Sequence, residues 1–213
     1  GGATAVAAAG VLSACGSSSS KTEHKASETP LYEINEQDPS KLKQGGTLNL
    51  STYSLGPDFN RFSQNGSSTS VSETMGIIAG AGIWRSTYKG EDELDPNYCL
   101  GFEAKEVDGK ITAEVRLNPK GVFNDGTPID IDALKATWQI QRDPDGEYKI
   151  GAAGIYEFIE SVEAIDGDRY HARVVFKTAH NPVKGLLFGG ILHPAMLDVN
   201  LFNEGFVDNP HPE

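Results

Sequence analysis

Apolar and polar positions alternate most regularly in two stretches of the chain. Ile111, Ala113, Val115 and Leu117 are interleaved with Thr112, Glu114 and Arg116, the period-two pattern of a strand with one buried and one wet face. Val107-Asp108-Gly109-Lys110 stands just before them, and an Asp-Gly pair between apolar runs predicts a hairpin turn. A second hairpin is predicted from Val162 and Ala164, through Asp166-Gly167, to Tyr170, Ala172, Val174 and Phe176, with His171 and Arg173 on the opposite face. Between the hairpins the period lengthens. Ile131, Leu134 and Trp138 recur at helical spacing, so a helix is predicted over 130–142, opened by Pro128 and capped by Asp130. Upstream, Thr47 to Ser51 alternates in polarity behind Gly45-Gly46 and predicts a first strand. A polar loop over 52–70 follows, and then Val71, Met75, Ile78 and Ile83 lie at helix-like spacing across 71–83, although Gly76, Gly80 and Gly82 weaken a helix there. Interleaved strands and helices place the chain in the α/β class, as a mixed α+β domain.

The N-terminal end is patterned differently. Gly1 to Ala14 carries no charged side chain, and Cys15 follows with Gly16 and four serines. A core helix would show a polar face and would not run into Gly-Ser-Ser-Ser-Ser, so 1–14 reads as the end of a signal peptide. Leu12-Ser13-Ala14-Cys15 resembles the lipobox of bacterial lipoproteins, in which the cysteine thiol is alkylated by a diacylglyceryl group. Residues 15–29 are then a lipidated, flexible tether, spanning on the order of 20 Å by random-coil scaling. The folded region is expected over 30–213. With Cys15 lipidated, Cys99 has no partner for an intrachain disulfide and reads as a small buried hydrophobe.

Charge narrows the functional classes. Thirty acidic against eighteen basic residues give a net charge of −12, which leaves no electrostatic footing for nucleic-acid binding. No stretch is long and apolar enough to span a bilayer. The histidines His24, His171, His180, His193 and His211 match no zinc spacing, so no metal site and no cofactor are expected. Ser18-x-x-Lys21 is a chance match inside a serine run, and Gly80-Ala81-Gly82 lacks the third glycine of a dinucleotide loop. Asp143-Pro144-Asp145-Gly146 reads as an acidic turn, and Glu91-Asp92-Glu93-Leu94-Asp95 as a solvated loop. Asp125 has neither a histidine nor a second carboxylate at a telling sequence spacing, and is assigned to a folding turn with Gly126 ahead of the helix. No catalytic constellation emerges, and the chain is expected not to be an enzyme.

Three segments carry a resemblance. Gly45-Gly46-Thr47-Leu48-Asn49-Leu50, then Val122-Phe123-Asn124-Asp125-Gly126-Thr127-Pro128 with Ile129 to Leu134, then the Ile159 to Phe176 hairpin with Asn181-Pro182 and an apolar helix through Leu186, Leu187 and Phe188, stand in the order found in family 5 extracellular solute-binding proteins. These are the lipoprotein receptors of peptide and nickel ABC importers, and the resemblance runs from Cys15 to about Leu197. It implies part of the first lobe of a two-lobed periplasmic-binding-protein-like fold, since family members are much longer and close two lobes on their ligand. Here 30–213 would be an incomplete lobe with the second lobe missing.

The resemblance implies capture of an extracellular oligopeptide, or another small solute, and its delivery to ABC permease subunits by a monomer anchored through Cys15 on the extracytoplasmic face of the bacterial cell membrane. It points to Tyr53 and Asn60 in the loop after the first strand, and to Trp84 at the end of the glycine-rich helix, as ligand contacts. The ordinary roles of these residues are strand-end packing, turn formation and core packing respectively. A lipid-anchored secreted enzyme such as a cell-wall hydrolase, or a non-catalytic scaffold or adhesin domain, are the alternative classes. A lobe without its partner is further expected to bind solute weakly and to expose Leu186, Leu187, Phe188 and Ile191.

Overall fold

The structure is a computed structural model and describes residues 37–47, 49–51, 57–68, 71, 74–76, 80–87, 89–179 and 183–207. The chain divides into two units, Gly1–Leu42 and Lys43–Glu213. The described part of the first holds one 3₁₀ turn, Pro39–Lys41. Asp38 caps it, accepting from the Ser40 backbone N–H at 2.9 Å and the Ser40 hydroxyl at 2.8 Å, and these bonds lower the Asp38 pKa.

The second unit is built on the two predicted hairpins. Strands β1 (Trp84–Ser86) and β2 (Asp92–Leu94) form a small antiparallel ribbon. Strands β3 (Cys99–Val107), β4 (Lys110–Leu117), β5 (Ile159–Ile165) and β6 (Asp168–Phe176) form an antiparallel sheet in the order β3-β4-β6-β5. The hairpins meet through β4 and β6, with Val115 opposite Ala172 and Ala113 opposite Val174. Because side chains alternate across a strand, that register puts Ala113, Val115, Leu117, Ala172, Val174 and Phe176 on one face, all of them buried. Glu103, Glu114, Arg173 and Glu163 form one charged row on the other.

Helix α1 (Ile131–Gln141) covers the apolar face, packing on β5 and β6. Asp130 caps it through a 2.9 Å bond from the Asp132 N–H. The Asp130 carboxylate, 2% exposed, also takes the Arg169 guanidinium of β6, which fixes the helix start to the sheet. One stripe of α1, including Ala133 and Leu134, faces the sheet core. Ile140 belongs to a second cluster with Ile150, Ala153, Leu192 and Phe202. Trp138, predicted in the core, is only half-buried, with the Arg142 guanidinium 5.2 Å over its ring. A 3₁₀ turn (Pro194–Leu197) and α2 (Val199–Glu204) close that second side.

Several expectations are corrected. Thr47 and Asn49 to Ser51 form no strand and are exposed, Leu50 to 59%; among the described residues no neighbouring strand satisfies their backbone, and an unpaired strand is not stable. The 71–83 segment is helical at Val71 and Thr74–Gly76, but 80–83 is not helical and Ile83 is buried. The cause is backbone pairing, with Ile83 N–H donating to Phe188 O at 3.0 Å and Ile191 N–H to Ala81 O at 2.9 Å. Gly82 permits it, since a Cβ there would sit 2.4 Å from Gly189 O.

The predicted loop at 91–95 contains β2, because its charges find cross-strand partners: Glu93 pairs with Arg85 at 2.8 Å and Asp92 accepts from the Ser86 hydroxyl at 2.9 Å. The apolar helix at 186–188 is a series of turns, interrupted by left-handed backbone at Gly185 (φ 79°) and Phe188 (φ 54°). Nor is its apolar patch exposed: Leu187, Phe188 and Ile191 are buried in the core, and Leu186 alone of the four faces solvent. No helix among the described residues is long and apolar enough to cross a membrane.

Candidate functional site

A cleft of about 340 Å³ lies between the 80–81 segment, Tyr98, the 122–125 loop and the 191–193 segment. Local sequence explains its main wall. Val122 and Pro128 bridge across the loop, Phe123 N–H donates to Thr127 O at 2.8 Å, and Gly126 N–H donates to Phe123 O at 2.9 Å. Gly126 takes the left-handed backbone this turn requires (φ 87°). The Asp125 carboxylate accepts the Thr127 N–H at 2.9 Å, and this bond chiefly lowers the Asp125 pKa, with the Thr127 side chain and nearby His193 adding to it.

His193 closes the opposite wall. Its ring packs edge-on against Phe123 at 4.8 Å. Nδ1 accepts the Ala195 N–H at 3.0 Å, capping the Pro194–Leu197 turn. An accepting Nδ1 leaves the proton of a neutral imidazole on Nε2. Nε2 lies 3.2 Å from Asp125 Oδ2 but outside hydrogen-bond geometry, and among the described residues no other group accepts from it. The cleft thus offers an ionised carboxylate, an oriented imidazole N–H and the Asn124 amide above an apolar floor of Ala81, Phe123 and Ile191. That mixture suits a solute with both polar and apolar groups.

The sequence placed Asp125 away from any histidine; the fold brings His193 to it. Sixty-eight residues separate the two in the chain, so the only local signal was a His-Pro pair able to open a turn. Among the described residues the cleft lining holds no Ser, Thr or Cys that the pair could activate. Cys99 is buried, and burial raises its thiol pKa. Among the described residues no group of three or more His, Cys, Asp or Glu side chains is arranged to hold a metal ion.

The candidate contacts taken from the resemblance are dispersed. Cys15 and Tyr53 lie outside the described residues. Asn60 is 8% exposed, its Nδ2 donating to Phe202 O at 2.9 Å and its Oδ1 accepting from Phe62 N–H at 3.1 Å. Beside it, buried Asp58 accepts from the Asn60 N–H at 2.7 Å and from the Ser63 hydroxyl, tying the 58–66 loop together. Trp84 opens β1 and is half-buried. Its Nε1 donates to Leu187 O at 2.7 Å and its ring meets Phe102 edge-to-face at 4.8 Å. Neither Asn60 nor Trp84 lines the 340 Å³ cleft.

No family model matches the chain. Curated relatives do. Over 98% of its length the chain is 28% identical to the oligopeptide-binding protein OppA of Mycobacterium bovis and to that of Mycobacterium tuberculosis. It spans 36% of the length of those relatives. Among solved structures, a periplasmic EDTA-binding protein, EppA, superposes with a TM-score of 0.61 at 19% identity, over 70% of this chain and 28% of that one. NikZ from Campylobacter jejuni, in complex with Ni(L-His), superposes with a TM-score of 0.59 at 17% identity, over 75% of this chain and 30% of that one. Sequence and fold therefore both support the resemblance to family 5 extracellular solute-binding proteins. The chain carries a part of the periplasmic-binding-protein fold.

Proposed function

We propose that the protein captures an oligopeptide, or another small solute, outside the cytoplasm and presents it unchanged to the permease of an ABC importer. The observation that carries this reading is the homology of nearly the whole chain to oligopeptide-binding proteins. The cleft is compatible with it, because a carboxylate, an imidazole N–H and an amide over an apolar floor can satisfy peptide groups while leaving room for water. Lipid on Cys15 would hold the receptor at the extracytoplasmic face of the membrane as a monomer, and two acyl chains make such an anchor durable. Tyr53, Asn60 and Trp84 are proposed contacts or supports of the ligand surface, with Asn60 and Trp84 acting through the segments they brace.

Calorimetric titration with trialanine and with a mixed peptide pool tests the reading, with recovered peptide weighed by mass spectrometry. Saturable heat that falls at least tenfold in apparent affinity on His193→Ala, and peptide of unchanged mass, is the expected result. Absence of heat with either ligand from the protein carrying both lobes, or cleaved peptide, overturns it. Mass spectrometry of the N-terminal peptide from a lipoprotein-processing host reports the anchor: a diacylated Cys15 is expected, and an unmodified Cys15 still joined to Ala14 refutes it.

A further inference from the structure

The face of the sheet turned away from α1 carries a second concavity. It measures about 250 Å³ and is lined by Gly101, Phe102, Glu103, Glu114, Arg116 and His171, none of which lines the 340 Å³ cleft. Strand register assembles it. Gly101, Arg116 and His171 stand side by side in one row across β3, β4 and β6, and Glu103, Glu114 and Arg173 in the next. Adjacent strands lie roughly 4.8 Å apart and successive rows on one face roughly 7 Å, so long side chains from both rows reach the space above Gly101.

Glu103 stands directly opposite Glu114, and like charges in that position destabilise a sheet. Glu114 is compensated, with the Arg173 guanidinium at 3.5 Å and the His171 imidazole at 3.8 Å. Glu103 is not. Among the described residues it forms no ion pair, and neither does Arg116, although both line the same cavity. Gly101 is equally unexplained by the fold. Glycine weakens a strand interior, and left-handed backbone or a crowding neighbour is the usual reason for it. Here φ is not positive, even at the bulge between Cys99 and Gly101, and an added Cβ would meet only Arg116 Cβ, at an ordinary 3.6 Å. The missing side chain keeps open the space between an unpaired carboxylate and an unpaired guanidinium.

We infer that this cavity binds a small zwitterion, a free α-amino acid, with its carboxylate on the Arg116 guanidinium and its ammonium on Glu103. A guanidinium fork matches the two oxygens of a carboxylate, and an ammonium on Glu103 offsets the repulsion from Glu114. A lone anion would face both glutamates and a lone cation would face the arginine, whereas a ligand with both charges on one carbon suits both walls. The His171 side chain, 18% exposed and held beside Glu114, closes the cavity on the β6 side. An oligopeptide holds its end charges too far apart for this space. The site is therefore separate from the cleft, and it does not rest on the transport function proposed above.

The test is NMR of the ¹⁵N-labelled full chain, titrated at constant ionic strength with L-alanine, with sodium acetate and with methylammonium chloride. Saturable shifts of the Gly101, Glu103, Arg116 and His171 amides are expected with L-alanine, at an affinity roughly tenfold or more above that of either single ion. Arg116→Gln and Glu103→Gln should each weaken L-alanine roughly tenfold or more. Glu103→Gln also removes the like-charge pair, so its denaturant midpoint should equal or exceed that of the parent. Gly101→Val fills the cavity with a strand-favouring residue whose Cβ meets no crowding, and should abolish the shifts while the far-UV spectrum stays unchanged. Shifts that do not saturate, acetate or methylammonium binding as tightly as L-alanine, or binding that survives Arg116→Gln, Glu103→Gln or Gly101→Val overturns the site.

Discussion

The two hairpin turns and the cleft loop are built on the same dipeptide and use it in opposite ways. In the hairpins both residues are left-handed, Asp108 and Asp166 at φ near 51° and 52° and their glycines at 75°. That geometry matches the right-handed twist of the strands and sets Val107 directly opposite Lys110. In the cleft loop Gly126 alone is left-handed, and the bridge falls between Val122 and Pro128. Asp125 keeps an ordinary backbone, so its carboxylate can take the Thr127 N–H and face His193. A tight turn spends aspartate on backbone shape; a wider loop releases the side chain for chemistry.

The largest effect that could break this comparison lies on the hairpin side. Phe176, fully buried at the end of β6, should lose about 3–5 kcal/mol of stability on Phe176→Ala, read by denaturant unfolding. A loss below about 1 kcal/mol would mean the hairpin sheet is not the stabilising centre. Next is Asp130→Ala, which removes a helix cap and leaves Arg169 unpaired; about 2 kcal/mol is expected in the same measurement.

The two turn glycines sharpen the contrast directly. A Cβ at Gly109 or Gly126 meets no atom within 4 Å, so either Gly→Ala change costs backbone strain alone, roughly 1 kcal/mol. Equal destabilisation but loss of trialanine affinity only in Gly126→Ala would place function in the wider loop. Equal affinities in the two variants would remove the distinction.

The smallest effect is one of pH. The Asp125 pKa is lowered from its ordinary value of 3.8, so it contributes stability that is present above that value and is lost as pH falls through the folded one. Asp125→Asn should flatten the stability profile just below pH 3.8 and leave neutral stability nearly unchanged. Tyr156 provides the alkaline counterpart. Burial raises its pKa well above its ordinary 10.0, so its contribution is complete below that pH and is lost as pH rises through the folded value. Tyr156→Phe should therefore lessen the loss of stability above pH 10.0.

Legibility followed the range of the interactions. Alternation over 111–117 and 170–176 named the buried face correctly, and Asp130 was recognisable as a cap, because these outcomes depend on neighbours a few residues away. Residues 80–83, at the end of the predicted 71–83 helix, and the 186–188 segment are not helical for the complementary reason. Their apolar spacing was real, but the backbone of Ala81 and Ile83 finds its partners in Phe188 and Ile191, over a hundred residues on.

The sequence by itself determined the two hairpins, the capped helix between them, the acidic charge that disfavours nucleic acid, and the resemblance to solute-binding proteins. Only tertiary structure decided that His193 meets Asp125, that Glu93 and Asp92 pair across a ribbon, and that the Phe188 N–H reaches the Tyr156 hydroxyl. Strand alternation and capping are local dihedral and hydrogen-bonding preferences, written into adjacent residues. A polar pair between distant segments is set by how the sheet and helix stack, and no short window of sequence contains that information.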